Sequence, residues 1–72
     1  MHRVKIELTT MSDVVAFVEK VKRINGAVTV IDGTGLRVNA KSLLGMVYAL
    51  EFTSLWCESD EDIYTEIQQF AI

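Results

Sequence analysis

The sequence predicts an α+β fold: a two-layer, open-faced sandwich in which a four-stranded antiparallel sheet carries three helices on one face, in the order β-α-β-β-α-β-α. Three observations predict it. Arg3 to Thr9 alternates, with Val4, Ile6 and Leu8 on one side and Arg3, Lys5 and Glu7 on the other, the period of a half-buried strand. The period then changes: Val14, Phe17, Val18, Val21 and Ile24 recur at helical spacing. Finally, Asp32-Gly33-Thr34-Gly35 separates two β-branched runs, the pattern of a hairpin turn.

Each element has its own local reason. Thr10 to Ser12 supplies candidate N-caps for the first helix, and Asp13 follows where negative charge suits a helix start. Lys20, Lys22 and Arg23 complement the dipole at the other end, where Asn25-Gly26 reads as a C-cap pair. Ala27 to Ile31 and Leu36 to Ala40 form the two arms of the hairpin. Ser42 opens a short second helix carrying Leu43, Leu44, Met46, Val47 and Leu50. Gly45 inside it costs about 1 kcal/mol against alanine, which points to close backbone packing or a helix of modest stability. Thr53 to Glu58 reads as the fourth strand. The acidic run Ser59-Asp60-Glu61-Asp62 reads as the start of a last helix, whose stripe is Ile63, Ile67 and Phe70 with Tyr64 and Ala71. In a split βαβ arrangement the first and fourth strands would lie side by side.

Composition narrows the function classes. Seventy-two residues suffice for one small domain, 1–72, with half of them apolar. A net charge of −3 disfavours a nucleic-acid backbone as the main partner. No stretch approaches the ~20 apolar residues of a membrane span, and Met1-His2-Arg3-Val4-Lys5 has none of the apolar run of a signal peptide. The single cysteine, Cys57, excludes an internal disulfide, supplies no metal cluster, and fits a buried thiol in a cytoplasmic protein.

Catalysis has little support. His2 is the only histidine and lies at a terminus, so no imidazole stands beside a candidate nucleophile. The acidic residues Glu58, Asp60, Glu61 and Asp62 lack the spacing of a calcium loop. Asp32-Gly33-Thr34-Gly35 joins two strands rather than a strand and a helix, so its glycines serve a turn and not a phosphate. No catalytic residue, metal or cofactor is expected.

The order of elements, and above all Val38-Asn39-Ala40-Lys41-Ser42-Leu43-Leu44-Gly45-Met46-Val47, resembles HPr, the histidine-containing phosphocarrier protein of the bacterial sugar phosphotransferase system. The likeness covers nearly the whole chain as a pattern and is specific in that stretch alone. In Gram-positive members the serine of the Lys-Ser-hydrophobic-hydrophobic-Gly motif is the target of a regulatory kinase, which the resemblance carries over onto Ser42. It also implies that Leu44 and Val47, with Lys41 and Tyr48 beside them, belong to a surface presented to protein partners such as an HPr-type serine kinase or a transcriptional regulator. The chain departs from the family where its defining chemistry lies. The phosphoacceptor histidine falls on Thr10 or Met11, its arginine on Ser12 or Asp13, and the helix-opening proline on Asp13 or Val14. A phosphohistidine carrier needs an imidazole nucleophile and a cation to offset the product, and neither is present. The expectation is a non-catalytic, HPr-like protein.

Two further expectations concern individual residues. Ser42 reads both as a cap, contributing ~1 kcal/mol, and as a phosphorylation site whose charge Lys41 would offset. Trp56 falls on the face of its strand opposite Leu55 and Cys57, on the open side of the sheet with Ile31. There it forms either a contact surface, including one for a second copy of the chain, or a ring lying over the stem of Lys5. An alternative from another class is a small-molecule-sensing module, because ferredoxin-like domains of the ACT type share much of this layout.

Overall fold

Strand β4 (Leu55–Ser59) occupies the interior of the sheet, between β1 (His2–Ile6) and β2 (Val28–Ile31), and β3 (Arg37–Asn39) completes the order β1-β4-β2-β3. This computed structural model describes residues 1–52 and 54–72. Thr53, the expected first residue of the fourth strand, lies outside the described residues. All pairings are antiparallel. The first and fourth strands are therefore neighbours, as a split βαβ layout requires, with β1 and β2 parallel across the strand inserted between them.

Helix α1 (Met11–Val21) forms where the helical period begins. Thr10 is its N-cap, and the reciprocal bonds of a capping box join Thr10 Oγ1 to the Asp13 N–H and the Asp13 carboxylate to the Thr10 N–H. Its buried face is Val14, Phe17, Val18 and Val21. The helix ends at Lys22 rather than at Asn25-Gly26; Gly26, at φ +89°, makes the turn into β2. In the hairpin, Asp32 Oδ1 accepts from the Thr34 N–H and hydroxyl and from the Leu36 N–H, and Gly35 takes φ +95°.

Short elements finish the helical layer. Helix α2 (Leu43–Val47) continues into a 3₁₀ turn, Tyr48–Glu51. Helix α3 (Tyr64–Ile67) continues into a 3₁₀ turn, Gln68–Phe70. The last helix thus starts later than the acidic run suggests. Ser59 ends β4, and Asp62 accepts from the Tyr64 N–H instead. Tyr64 is exposed, while Ala71 pairs with Ile6 at the edge of β1. The stripe therefore reduces to Ile63, Ile67 and Phe70.

One hydrophobic cluster joins the layers. Ile6, Val28, Val30, Leu55 and Cys57 from the sheet meet Val14, Phe17, Val18, Met46, Ala49 and Ile67 from the helices. The Phe17 and Phe70 rings pack edge to face at 5.3 Å between centroids. Period-2 alternation sends the other side chains of the strands to the opposite face. They form two rows, Arg3–Glu58–Thr29–Asn39 and Lys5–Trp56–Ile31–Arg37, set by the register of the three pairings.

Candidate functional site

Ser42 stands where the chain leaves β3 and enters α2. Its Oγ accepts from the Gly45 N–H at 3.1 Å, and its carbonyl accepts from the Met46 N–H at 2.9 Å. It is the cap that the sequence indicates. A Cβ at Gly45 would meet Ser42 Oγ at 3.4 Å and Asn39 O at 3.8 Å, ordinary contact distances. Of the two readings of Gly45, close backbone packing is therefore set aside. The first turn of α2 contains no acidic residue. Lys41, the cation beside Ser42 in sequence, donates its ammonium to the Ile24 carbonyl in the turn after α1. That bond ties the residue before the α2 cap to the turn that follows α1.

Helix α2 and the 3₁₀ turn that continues it point their apolar residues in two directions. Met46 and Ala49 are buried, while Leu43, Leu44, Val47 and Tyr48 are exposed, Leu44 at 75% and Tyr48 at 63%. An amphipathic helix against a core normally exposes polar side chains. Here the outward face is apolar as well. Leu43 belongs to this exposed set and was not singled out by the family pattern; the signal was present in the uninterrupted apolar run Leu43-Leu44. Val15 and Met11, on α1, are exposed too.

Thr10 and Met11, where the resemblance would place a phosphoacceptor histidine, open α1. Thr10 is its N-cap and Met11 its first residue. One oxygen of Asp13, Oδ2, accepts from the Thr9 N–H at 3.0 Å, the Thr9 hydroxyl at 2.9 Å and the Thr10 N–H at 3.2 Å. These bonds, the Thr9 N–H first, hold the Asp13 carboxyl below its ordinary pKa. The anion-favouring end of α1 is thus already occupied by a carboxylate.

Trp56 lies on the sheet face away from the helices, as alternation indicates, but the exposed tryptophan–isoleucine patch does not form. Ile31 is only 7% exposed and Trp56 is half-buried, with the Lys5 ammonium 5.7 Å from the ring centroid. The cross-strand neighbours of Ile31 are Trp56 from β4 and Arg37 from β3. Beside them Glu58 is 4% exposed although it is charged. Arg3 donates to its Oε2 through Nε at 3.2 Å and Nη2 at 2.8 Å, and Arg37 pairs with its Oε1. The Arg3 bonds, together with those of Arg37, keep the Glu58 carboxyl below the usual range against the opposing effect of desolvation. Residue order alone did not give this pairing, because it depends on strand order.

The remaining chemistry-bearing groups are quiet. Cys57 is buried under the helices, and desolvation pushes its thiol up to about 12. No group of three or more His, Cys, Asp or Glu among the described residues is arranged to hold a metal ion. An open cleft of about 780 Å³ runs between the end of α1 and the loop after β4, with Lys20 and Arg23 on one wall and Asp60, Glu61, Asp62 and Glu66 on the other. No described helix is long and apolar enough to cross a membrane. Among known proteins, no family model, curated protein or solved structure matches this chain.

Proposed function

We propose that this protein is a non-catalytic, HPr-like module that binds protein partners through the exposed face of α2 and is regulated by phosphorylation of Ser42. The observation that carries this reading is the outward apolar set Leu43, Leu44, Val47 and Tyr48 on a helix whose other side is already packed. Apolar and aromatic side chains grouped on one exposed helix face supply the desolvatable centre of a protein contact. Ser42 lies at the start of the same helix. A phosphate there would place two negative charges beside that contact and thereby control it.

The modification joins Ser42 Oγ to the γ-phosphorus of a nucleoside triphosphate. The bond to the bridging oxygen breaks, the nucleoside diphosphate leaves, and the hydroxyl proton passes to a base on the kinase. The Gly45 N–H that now bonds the hydroxyl would bond a phosphate oxygen instead, and Lys41 would keep its place on the Ile24 carbonyl. Transfer through a phosphohistidine is outside this reading. A phosphoryl group at Thr10 or Met11 would meet the Asp13 carboxylate, where a carrier needs a cation.

The test is incubation with an HPr-type serine kinase and ATP, read by intact-protein and peptide mass spectrometry. The expected result is one phosphate on the peptide containing Ser42 and none on Ser42→Ala. An unmodified protein, under conditions where an authentic HPr is modified, refutes the regulatory part. Phosphoenolpyruvate with the general phosphotransferase enzyme should leave the chain unmodified. A second reading, a small-molecule-sensing module, rests on the two-signed cleft beside α1, whose walls suit a zwitterion. Specific thermal stabilisation by an amino acid, lost in Arg23→Gln, would favour it.

A further inference from the structure

The sheet face opposite the helices carries a charge pattern unlike the rest of the chain. Within the four strands it presents Arg3, Lys5 and Arg37 against one carboxylate, Glu58, with the exposed Glu7 next in alternation just beyond β1, although the protein as a whole is acidic at −3. The Glu58 carboxylate is nearly inaccessible, and the two arginine side chains bonded to it are each over half exposed. Glu58 thus fixes the two guanidiniums without presenting negative charge to solvent. Arg3 uses two of its five N–H donors on Glu58 and Arg37 uses one, so most remain available. Between the cations lie Trp56 and the covered Ile31, an apolar floor with an ammonium above its ring.

From this we infer that the open sheet face docks an acidic polypeptide segment, a surface distinct from α2. The occupant follows from charge complementarity. Arginines held in place by a shared carboxylate lose little freedom on binding a second one, and planar guanidiniums match carboxylates in geometry. Arginine is also among the side chains that anchor protein contacts most often. A nucleic acid fits less well. Its bases need open aromatic faces, whereas the single ring here is covered by Lys5, and the acidic remainder of the chain opposes a polyanion.

The probe is a short fluorescein-labelled oligoglutamate peptide, followed by polarisation at low and physiological salt, with backbone amide shifts recorded on the full chain. Binding should weaken with salt and shift Arg3, Lys5, Ile31, Arg37 and Trp56. Lys5→Gln, which leaves the Glu58 pairs intact, and Arg37→Gln should each weaken it by about two- to fivefold, the range of exposed ion pairs. Lys20→Gln, at the end of α1, should not. The inference is overturned if the peptide does not bind, if the shifts gather on α1, or if an oligothymidylate of equal charge binds more tightly. Concentration-dependent dimerisation abolished by Arg37→Gln would assign the face to a second copy and overturn it equally.

Discussion

Replacing Leu44 by glutamine and Met46 by alanine, two residues apart on the same short helix, should cost very different amounts of stability. Met46 is 0% exposed and sits in the core cluster; Leu44 is 75% exposed. Complete burial of a leucine contributes about 1.5–3 kcal/mol, so the quarter of Leu44 that is covered contributes roughly 0.4–0.8 kcal/mol. Glutamine matches leucine in helix propensity, and Leu44→Gln should therefore cost less than about 1 kcal/mol. Met46→Ala leaves a cavity and should cost about 2–5 kcal/mol. Against a total stability of roughly 4–11 kcal/mol for a chain of this length, that is a large share. At about 4–8 °C per kcal/mol, Leu44→Gln should lower Tm by under about 8 °C and Met46→Ala by about 8 °C or more. Urea unfolding followed by Trp56 fluorescence, with thermal melts in parallel, measures both. Equal losses in the two variants, or a Met46→Ala loss below about 1 kcal/mol, would show that α2 does not present its faces as described. The partner surface proposed on it would then have no basis.

Other consequences can be measured on the same protein. Gly45→Ala should raise stability by up to about 1 kcal/mol, because the added methyl meets only ordinary contacts and the helix loses its least favourable residue; a lower urea midpoint would contradict this. The carboxyls of Asp13, Asp32 and Glu58 are all held below their unfolded values. Stability from them is present above those unfolded values, about 4, and is lost as pH falls through the folded ones. The urea midpoint should decline on acidification below about pH 5, and Glu58→Gln should flatten that decline; parallel profiles for wild type and variant would rule the pairing out as a contributor. Cys57, with its thiol pushed up to about 12, should resist an aromatic disulfide reagent at pH 8 in the native protein and react readily in urea. Reaction of the folded protein at the unfolded rate would refute its burial.

The parts of this protein that were legible from residue order are those set by neighbours in the chain. Thr10 with Asp13, the stripe from Val14 to Val21, the Asp32–Gly35 turn and the Ser42 cap each depend on contacts a few residues apart, and they form as their spacing indicates. Period-2 alternation likewise assigned Trp56 and Cys57 to opposite faces before any pairing was known. The last helix was less legible, because Asp60 and Glu61 suit a solvated loop as well as a helix start.

What only the tertiary structure decided is which distant groups meet. Alternation places Glu58 on the open face, but its burial depends on Arg3 and Arg37, which reach it only because β4 lies between β1 and β2. Lys41 binds a carbonyl seventeen residues away rather than the serine beside it. An unbroken apolar run in α2 cannot say which of its residues face the core; the packing of α2 on α1 and β3 settles that, burying Met46 and leaving Leu44 and Tyr48 outside. Local propensity specifies elements, because hydrogen bonds and caps act over a few residues. The site depends on register and packing, which bring together side chains that sequence separation keeps apart.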